Sequence, residues 1–296
     1  HETLSDHLFG APGRWSVRRC TEPGCGLGWV DPKPRADQIG KLYAGYYTHQ
    51  ANGLGPPRSY ATTGARHIAK RVLATVFFWK SAAYRTDYFH LEGMKPGRLL
   101  EVGCGNGDFL RAAAAAGWDA LGIDFDAEAV AAARSHPGVR AEVGDLLDHH
   151  FPNGSFDAIV MNNLIEHLDD PLAEIAECHR LLRPGGRLVV ITPNLDSMGH
   201  AIFGGDWRGL EPPRHLHLFS VPTLRRAARN SGYRHITAFS TPGGEACRGI
   251  MQGSIEIARK CGHRHDESPA EISRRERLMV TLGRPCGEWA VLVATA

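Results

Sequence analysis

The sequence predicts an α/β protein built on a parallel sheet, and three observations predict it. Leu99-Leu100-Glu101-Val102 is a short apolar strand with an acidic residue near its end, running into the turn Gly103-Cys104-Gly105-Asn106-Gly107. One strand–helix unit later, Leu121-Gly122-Ile123-Asp124 repeats the passage from strand to carboxylate. Phe156 to Met161 reads as a continuous buried run, apolar but for Asp157, the pattern of a strand covered on both faces in the middle of a parallel sheet.

The glycine turn points to a nucleotide-type cofactor. Glycine lets the chain bend sharply from strand to helix and lets a ligand approach the backbone closely. The helix expected over Asp108 to Ala116 aims unpaired amide N–H groups at whatever lies over that turn. The dinucleotide fingerprint G-x-G-x-x-G would need its third glycine at Asp108, whereas this chain reads E-x-G-x-G-x-G. Asp124 ends the second strand, where a carboxylate can accept hydrogen bonds from both hydroxyls of a ribose. Its other reading is a cap for the helix Ala127 to Ser135, a role that Asp126 suits better. Val143-Gly144-Asp145-Leu146 follows, then the fourth strand, Phe156 to Met161, and the segment Asn162-Asn163-Leu164-Ile165-Glu166-His167-Leu168. Pro171 to Leu182 carries a helical apolar stripe at Leu172, Ile175, Ala176 and Leu182 and ends at Arg183-Pro184-Gly185-Gly186. Arg187 to Thr192 reads as the fifth strand, closing at Pro193-Asn194.

From Arg98 to Asn194 these motifs, in this order and at these distances, resemble those of the class I S-adenosylmethionine-dependent methyltransferases. The resemblance implies a Rossmann-like sheet of seven mostly parallel strands with helices on both faces. It implies S-adenosyl-L-methionine as cofactor and S-adenosyl-L-homocysteine as product. Glu101, Gly103, Cys104, Gly105, Gly107, Asp124, Phe125, Asp145, Leu146 and Asn162 would then surround the cofactor. Asp145 would take the adenine amino group, with a plain surface turn as its alternative. Ser220 and Pro222 start a helix that Gly232 ends. Tyr233 to Thr241 and Glu288 to Thr295 would be the antiparallel sixth and seventh strands, separated by helical segments Met251 to Lys260 and Pro269 to Leu282.

The division expected is a cysteine-containing segment over 1–40, a helical cap over 41–95, the cofactor domain over 96–242, a helical insertion over 243–285 and a final core strand over 286–296. Within the cap, apolar i, i+4 spacing at Ile68, Val72 and Val76 marks an amphipathic helix between Ala65 and Phe89. Tyr46 and Tyr47 are candidate acceptor-facing residues. Cys20 and Cys25, in the run from Arg18 to Pro34, resemble half of the zinc ribbon at the N-terminus of some bacterial sugar and natural-product methyltransferases. A structural zinc takes four ligands in a tetrahedron, and this segment supplies two.

Composition narrows the partner. The 296 residues carry a formal charge of +2, with both signs interspersed, which argues against nucleic acid. No apolar run approaches the roughly 18 residues of a membrane span, and no signal-peptide pattern opens the chain. The expectation is a soluble cytoplasmic protein acting on a small molecule or glycan-type acceptor, free or carrier-bound. Seven cysteines, an odd number at irregular spacing, do not form a disulfide framework.

The reaction has to be read from the histidines. A hydroxyl acceptor must lose a proton, and imidazole is the natural base near neutral pH. His167 follows the fourth strand, and His215 and His217 follow the fifth, so all three can converge. The loop from Phe203 to Ser220, rich in Gly and Pro, adds Trp207 and Arg214 as acceptor contacts at the edge of the sheet where ligands bind. Asn163, Glu166 and His167 share one face if their segment is helical. With His217, Glu166 and His167 resemble the divalent-metal ligands of the small-RNA 3′-end 2′-O-methyltransferases, with Asn163 where those enzymes have a Glu. Acid–base, metal and purely structural roles stay open for Glu166 and His167. The resemblance to the ribbon-bearing methyltransferases implies O-methylation of a sugar, glycan precursor or secondary metabolite, which is the expected activity. Its alternatives are C- or N-methylation, a cofactor-binding scaffold without turnover and, more distantly, a dehydrogenase.

Overall fold

The computed structural model describes residues 1–35, 39, 42, 89–242 and 244–296. Tyr46, Tyr47 and most of the expected cap lie outside the described residues. The central sheet has seven strands in the order β5-β4-β3-β6-β7-β10-β9. These are β3 (Arg98–Val102), β4 (Asp119–Asp124), β5 (Arg140–Val143), β6 (Phe156–Asn162), β7 (Leu182–Pro193), β9 (His235–Thr241) and β10 (Trp289–Thr295). β3 to β7 run parallel, and β10 inserts antiparallel between β7 and β9. The seven-stranded, mostly parallel sheet is the one the sequence predicts.

Strand alternation divides the core. Leu100, Val102, Ile159, Met161, Leu188 and Val190 face one layer, formed by α3 (Pro171–Leu181) and α5 (Val221–Asn230). Leu99, Ala158, Val160 and Val189 face the other, formed by α1 (Asp108–Ala115) and α2 (Ala127–Arg134). Neighbouring residues on a strand point to opposite faces, so only a two-sided sheet can bury a run such as Ala158 to Met161 completely. At about 25 cal/mol per Å² of apolar area, each large side chain on these faces contributes roughly 1.5–3 kcal/mol.

Helix ends follow the chemistry expected of them. Asp126 caps α2, accepting the Glu128 N–H at 2.9 Å, and Asp170 caps α3, accepting the Ala173 N–H at 3.0 Å. One boundary differs. Arg183-Pro184-Gly185-Gly186 was expected as a turn between helix and strand, but β7 already begins at Leu182. Phe156 pairs with Leu182 and Ala158 with Arg187, so the Pro-Gly-Gly stretch is an irregularity within the ladder.

A second, three-stranded sheet pairs β1 (Ser16–Arg19), β2 (Gly28–Asp31) and β8 (His217–Leu218). It lies against the loop that follows β7, with α4 (Met198–Phe203) at that loop's start. Two helices, α6 (Gly244–Lys260) and α7 (Pro269–Thr281), fall between β9 and β10. A buried cluster of Phe203, Trp207, Leu210, Met251, Ile272 and Trp289 joins them to that loop.

Candidate active site

The glycine turn sits at the carboxyl end of β3. Gly105 has φ +49°, and a Cβ placed there would meet no atom within 4 Å, so its outer side is open. Gly107 differs: with φ +78°, its Cβ would come within 2.8 Å of the Ala133 side chain, closing α1 onto α2. Asp124 ties this turn to β4, accepting the Gly105 N–H at 2.9 Å and the Asp126 N–H at 3.0 Å. Burial raises the Asp124 carboxyl, against the pull of those two N–H groups. Glu101 is buried beneath the turn, one of its carboxylate oxygens unpartnered. Burial, then Asp124 and Asp108, push its carboxyl well above the usual carboxylate range. Gly103 and buried Cys104 lie in the same turn, where the small Cys104 side chain packs against Gly122.

Phe125 is exposed after β4, Asp145 is exposed after β5, and Leu146 beside it is buried. Asn162 is half-buried at the end of β6. These residues flank the open side of the glycine turn on neighbouring strand ends, in the order β5-β4-β3-β6.

Beyond β6 the chain does not continue as a regular helix. Asn163 is exposed with φ +52°, and only Ile165–His167 form a single 3₁₀ turn. Asn163 therefore does not share a helical face with Glu166 and His167, as sequence spacing suggested. Glu166 is 1% exposed; its Oε2 accepts the Thr192 hydroxyl at 2.8 Å and its Oε1 has no partner. Burial raises this carboxyl to about 8, despite backbone hydrogen bonding and the Thr192 bond. His167 Nδ1 lies 3.0 Å from the Arg214 carbonyl oxygen, and the ring packs edge-on to His215 with centroids 4.7 Å apart. Burial, followed by His215, holds His167 well below the ordinary imidazole range. His215 Nδ1 lies 2.8 Å from the Gly209 carbonyl oxygen, and burial lowers its value too.

Two of the three histidines converge. His217 is directed elsewhere, because its place on β8 brings Nδ1 to the Leu168 carbonyl at 3.1 Å. The set whose ligand atoms all lie within 4.8 Å of one another among the described residues is Glu166, His167 and His215, with His215 where the sequence suggested His217.

The expected acceptor contacts Trp207 and Arg214 are interior residues. Trp207 is 1% exposed and donates its indole N–H to Glu288 Oε2 at 2.9 Å. The Arg214 side chain has no exposure and pairs with Asp6 at 2.9 Å and Glu211 at 3.1 Å. Both side chains are taken up by the core, which removes them from the surface an acceptor could touch. Asp6 and Glu288 are distant in sequence from their partners, so no local spacing could have announced them.

Cys20 and Cys25 face each other across the loop between β1 and β2. The Leu27 backbone N–H and the Cys20 thiol lower the Cys25 thiol below its ordinary range. The Cys20–Cys25 pair joins no set of three metal-ligating side chains among the described residues.

Residues 80–238 match the family model described as a methyltransferase domain. The chain is 32% identical over 155 residues to the ubiquinone biosynthesis O-methyltransferase of Aromatoleum aromaticum, covering 47% of this chain and 65% of that protein. It is 36% identical over 140 residues to a protein of Mycolicibacterium smegmatis named as an S-adenosylmethionine-dependent methyltransferase, covering 47% of this chain and 53% of that one. The match thus spans less than two thirds of either relative. Among solved structures, a chain of the complex between the Haloferax volcanii Trm112 methyltransferase activator and a methyltransferase aligns with a TM-score of 0.52 at 19% identity, over 77% of this chain and 94% of that one, which speaks for the fold. No helix among the described residues is long and apolar enough to cross a membrane. With the family model matched over residues 80–238 of 296, on a seven-stranded sheet with its glycine turn at the end of β3, the chain belongs to the S-adenosylmethionine-dependent methyltransferase family.

Proposed function

We propose that the chain moves a methyl group from S-adenosylmethionine to a hydroxyl oxygen of a small molecule, such as a sugar, a glycan precursor or a secondary metabolite. One observation carries this reading. A carbonyl oxygen only accepts, so the 3.0 Å contact between His167 Nδ1 and the Arg214 carbonyl puts the ring proton on Nδ1 and the lone pair on Nε2. Relatives named as O-methyltransferases support oxygen as the target.

The residues present fit the cofactor. The open side of Gly105 leaves room against the backbone, and Asp124 stands at the neighbouring strand end. The glycine turn would hold the methionine part, Asp124 the ribose, and Phe125, Asp145 and Leu146 the adenine. When bound, S-adenosylmethionine supplies an electrophilic methyl group on a sulfonium. His167 accepts the hydroxyl proton at Nε2, and burial keeps the ring neutral for that task. Transfer of tritium from labelled S-adenosylmethionine to a panel of hydroxylated acceptors tests the proposal. Product labelled on carbon or nitrogen would favour the C- or N-methylating alternative, and binding without transfer would favour a scaffold.

A second reading is favoured by the clustering of Glu166, His167 and His215 within 4.8 Å. In that reading the three side chains would hold a divalent ion, with His167 as a ligand, and such an ion would supply Lewis-acid chemistry toward the hydroxyl. Metal analysis of the purified protein, with turnover measured before and after chelation, separates the readings: chelation leaves the metal-free enzyme active.

A further inference from the structure

We propose that Asp6 is a positioning residue for His167, acting through Arg214 to fix which ring nitrogen carries the proton. The inference rests on the reading of His167 as the base.

Arg214 is a node. Its guanidinium is fully enclosed, bonded to Asp6 Oδ2 at 2.9 Å and to Glu211 Oε1 at 3.1 Å, with the Phe9 ring 4.3 Å beneath it. The backbone of the same residue supplies the carbonyl that meets His167 Nδ1 at 3.0 Å. Asp6 is rigid in turn, its carboxylate accepting the N–H groups of Leu8 at 3.1 Å, Phe9 at 2.9 Å and Ala11 at 3.0 Å. The stretch between Glu211 and Arg214 is Pro212-Pro213, which has no N–H to donate. That turn is fastened by the Arg214 and His215 N–H groups, both donated to the Glu211 carbonyl, and by the Arg214 side chain. Asp6 therefore supplies, from the far end of the chain, the anchor that keeps the Arg214 carbonyl aimed at the ring. An orienting acceptor on Nδ1 leaves Nε2 as the nitrogen that takes a proton, and losing it lets both tautomers populate.

The readout is the His167 ring itself, in two-bond ¹H–¹⁵N spectra of histidine-labelled protein with S-adenosylmethionine bound, assigned with His167→Gln. The wild-type ring should show a protonated Nδ1 and an unprotonated Nε2. Asp6→Asn should give a mixture of tautomers and lower turnover about tenfold with little change in KM for S-adenosylmethionine. Because Asp6→Asn leaves a buried guanidinium less well paired, the triple variant Asp6→Asn/Glu211→Gln/Arg214→Met removes all three charges of the cluster and should show the same mixed tautomers in a folded protein. A wild-type ring pattern in either folded variant overturns the proposal. Mixed tautomers with undiminished turnover would instead overturn the reading of His167 as the base, and the catalytic role of Asp6 with it.

Discussion

Glu288 accepts the Trp207 indole N–H at 2.9 Å on one oxygen and the Gly199 N–H at 2.7 Å on the other. This pair pins the loop after β7 to the first turn of α4 and to the residue preceding β10. Trp207 is thereby an anchor of the core. Trp207→Ala should cost about 3–5 kcal/mol of stability by leaving a large cavity and an unpaired carboxylate oxygen. S-adenosylmethionine affinity should change little. Denaturant unfolding and calorimetry on the same preparations check both halves.

Glu276 lies beside this pair, accepting the Glu288 N–H at 2.6 Å, and burial raises its carboxyl to about 8 while Glu288 is raised to about 7. A raised carboxyl keeps its proton in the folded state after the unfolded chain, at 4.5, has released it. Stability from these groups is thus complete below about pH 4.5 and falls as pH rises toward 8. Glu276→Gln, which imitates the protonated acid, should flatten that alkaline decline in a series of unfolding curves.

The two glycines of the cofactor turn should respond differently to substitution. Gly105→Val puts bulk into open space where the cofactor would lie, so binding should fall by tenfold or more, roughly 1.4 kcal/mol, beyond the cost of its positive φ. Gly107→Val collides with Ala133 and should chiefly lower the melting temperature. Equal effects of both variants on affinity and melting would remove the distinction.

His167→Ala should lower methyl transfer by about 10²–10⁴ while leaving cofactor affinity intact. Since burial and His215 hold the imidazole below its ordinary 6.5, the acid limb of the rate profile should fall below that pH. His217→Ala should have a much smaller effect, because its ring is turned to the Leu168 carbonyl.

Those strands whose pattern is local were legible in the sequence. β3, β4 and β6 carry mainly apolar runs that end at chemically marked turns, and Asp126 announces its own cap. Of the candidate site, the sequence marks Glu101, Gly105 and Asp124, which the structure brings together at neighbouring strand ends. It failed where tertiary distance decides. Trp207 and Arg214 look like surface chemistry in a loop rich in Gly and Pro, yet their partners Glu288 and Asp6 lie 81 and 208 residues away. The spacing of Asn163, Glu166 and His167 is helical on paper, but the left-handed backbone at Asn163 breaks the face. His215 and His217 would share a face if both lay on one strand, but His215 closes the turn that begins at Glu211 while His217 is already on β8, so only His215 meets His167.

The place of β10 has a consequence for how the chain comes into being. It fills the gap between β7 and β9 with residues 289–295, so during synthesis the flank of β7 stays bare until they emerge from the ribosome. The parallel half can settle earlier, and its uncovered Val189 and Val190 backbone is then an edge to which a stray strand could stick. A ribosome-bound chain that has exposed nothing beyond residue 288 should consequently recruit holding chaperones more strongly than one in which residues 289–295 have also emerged.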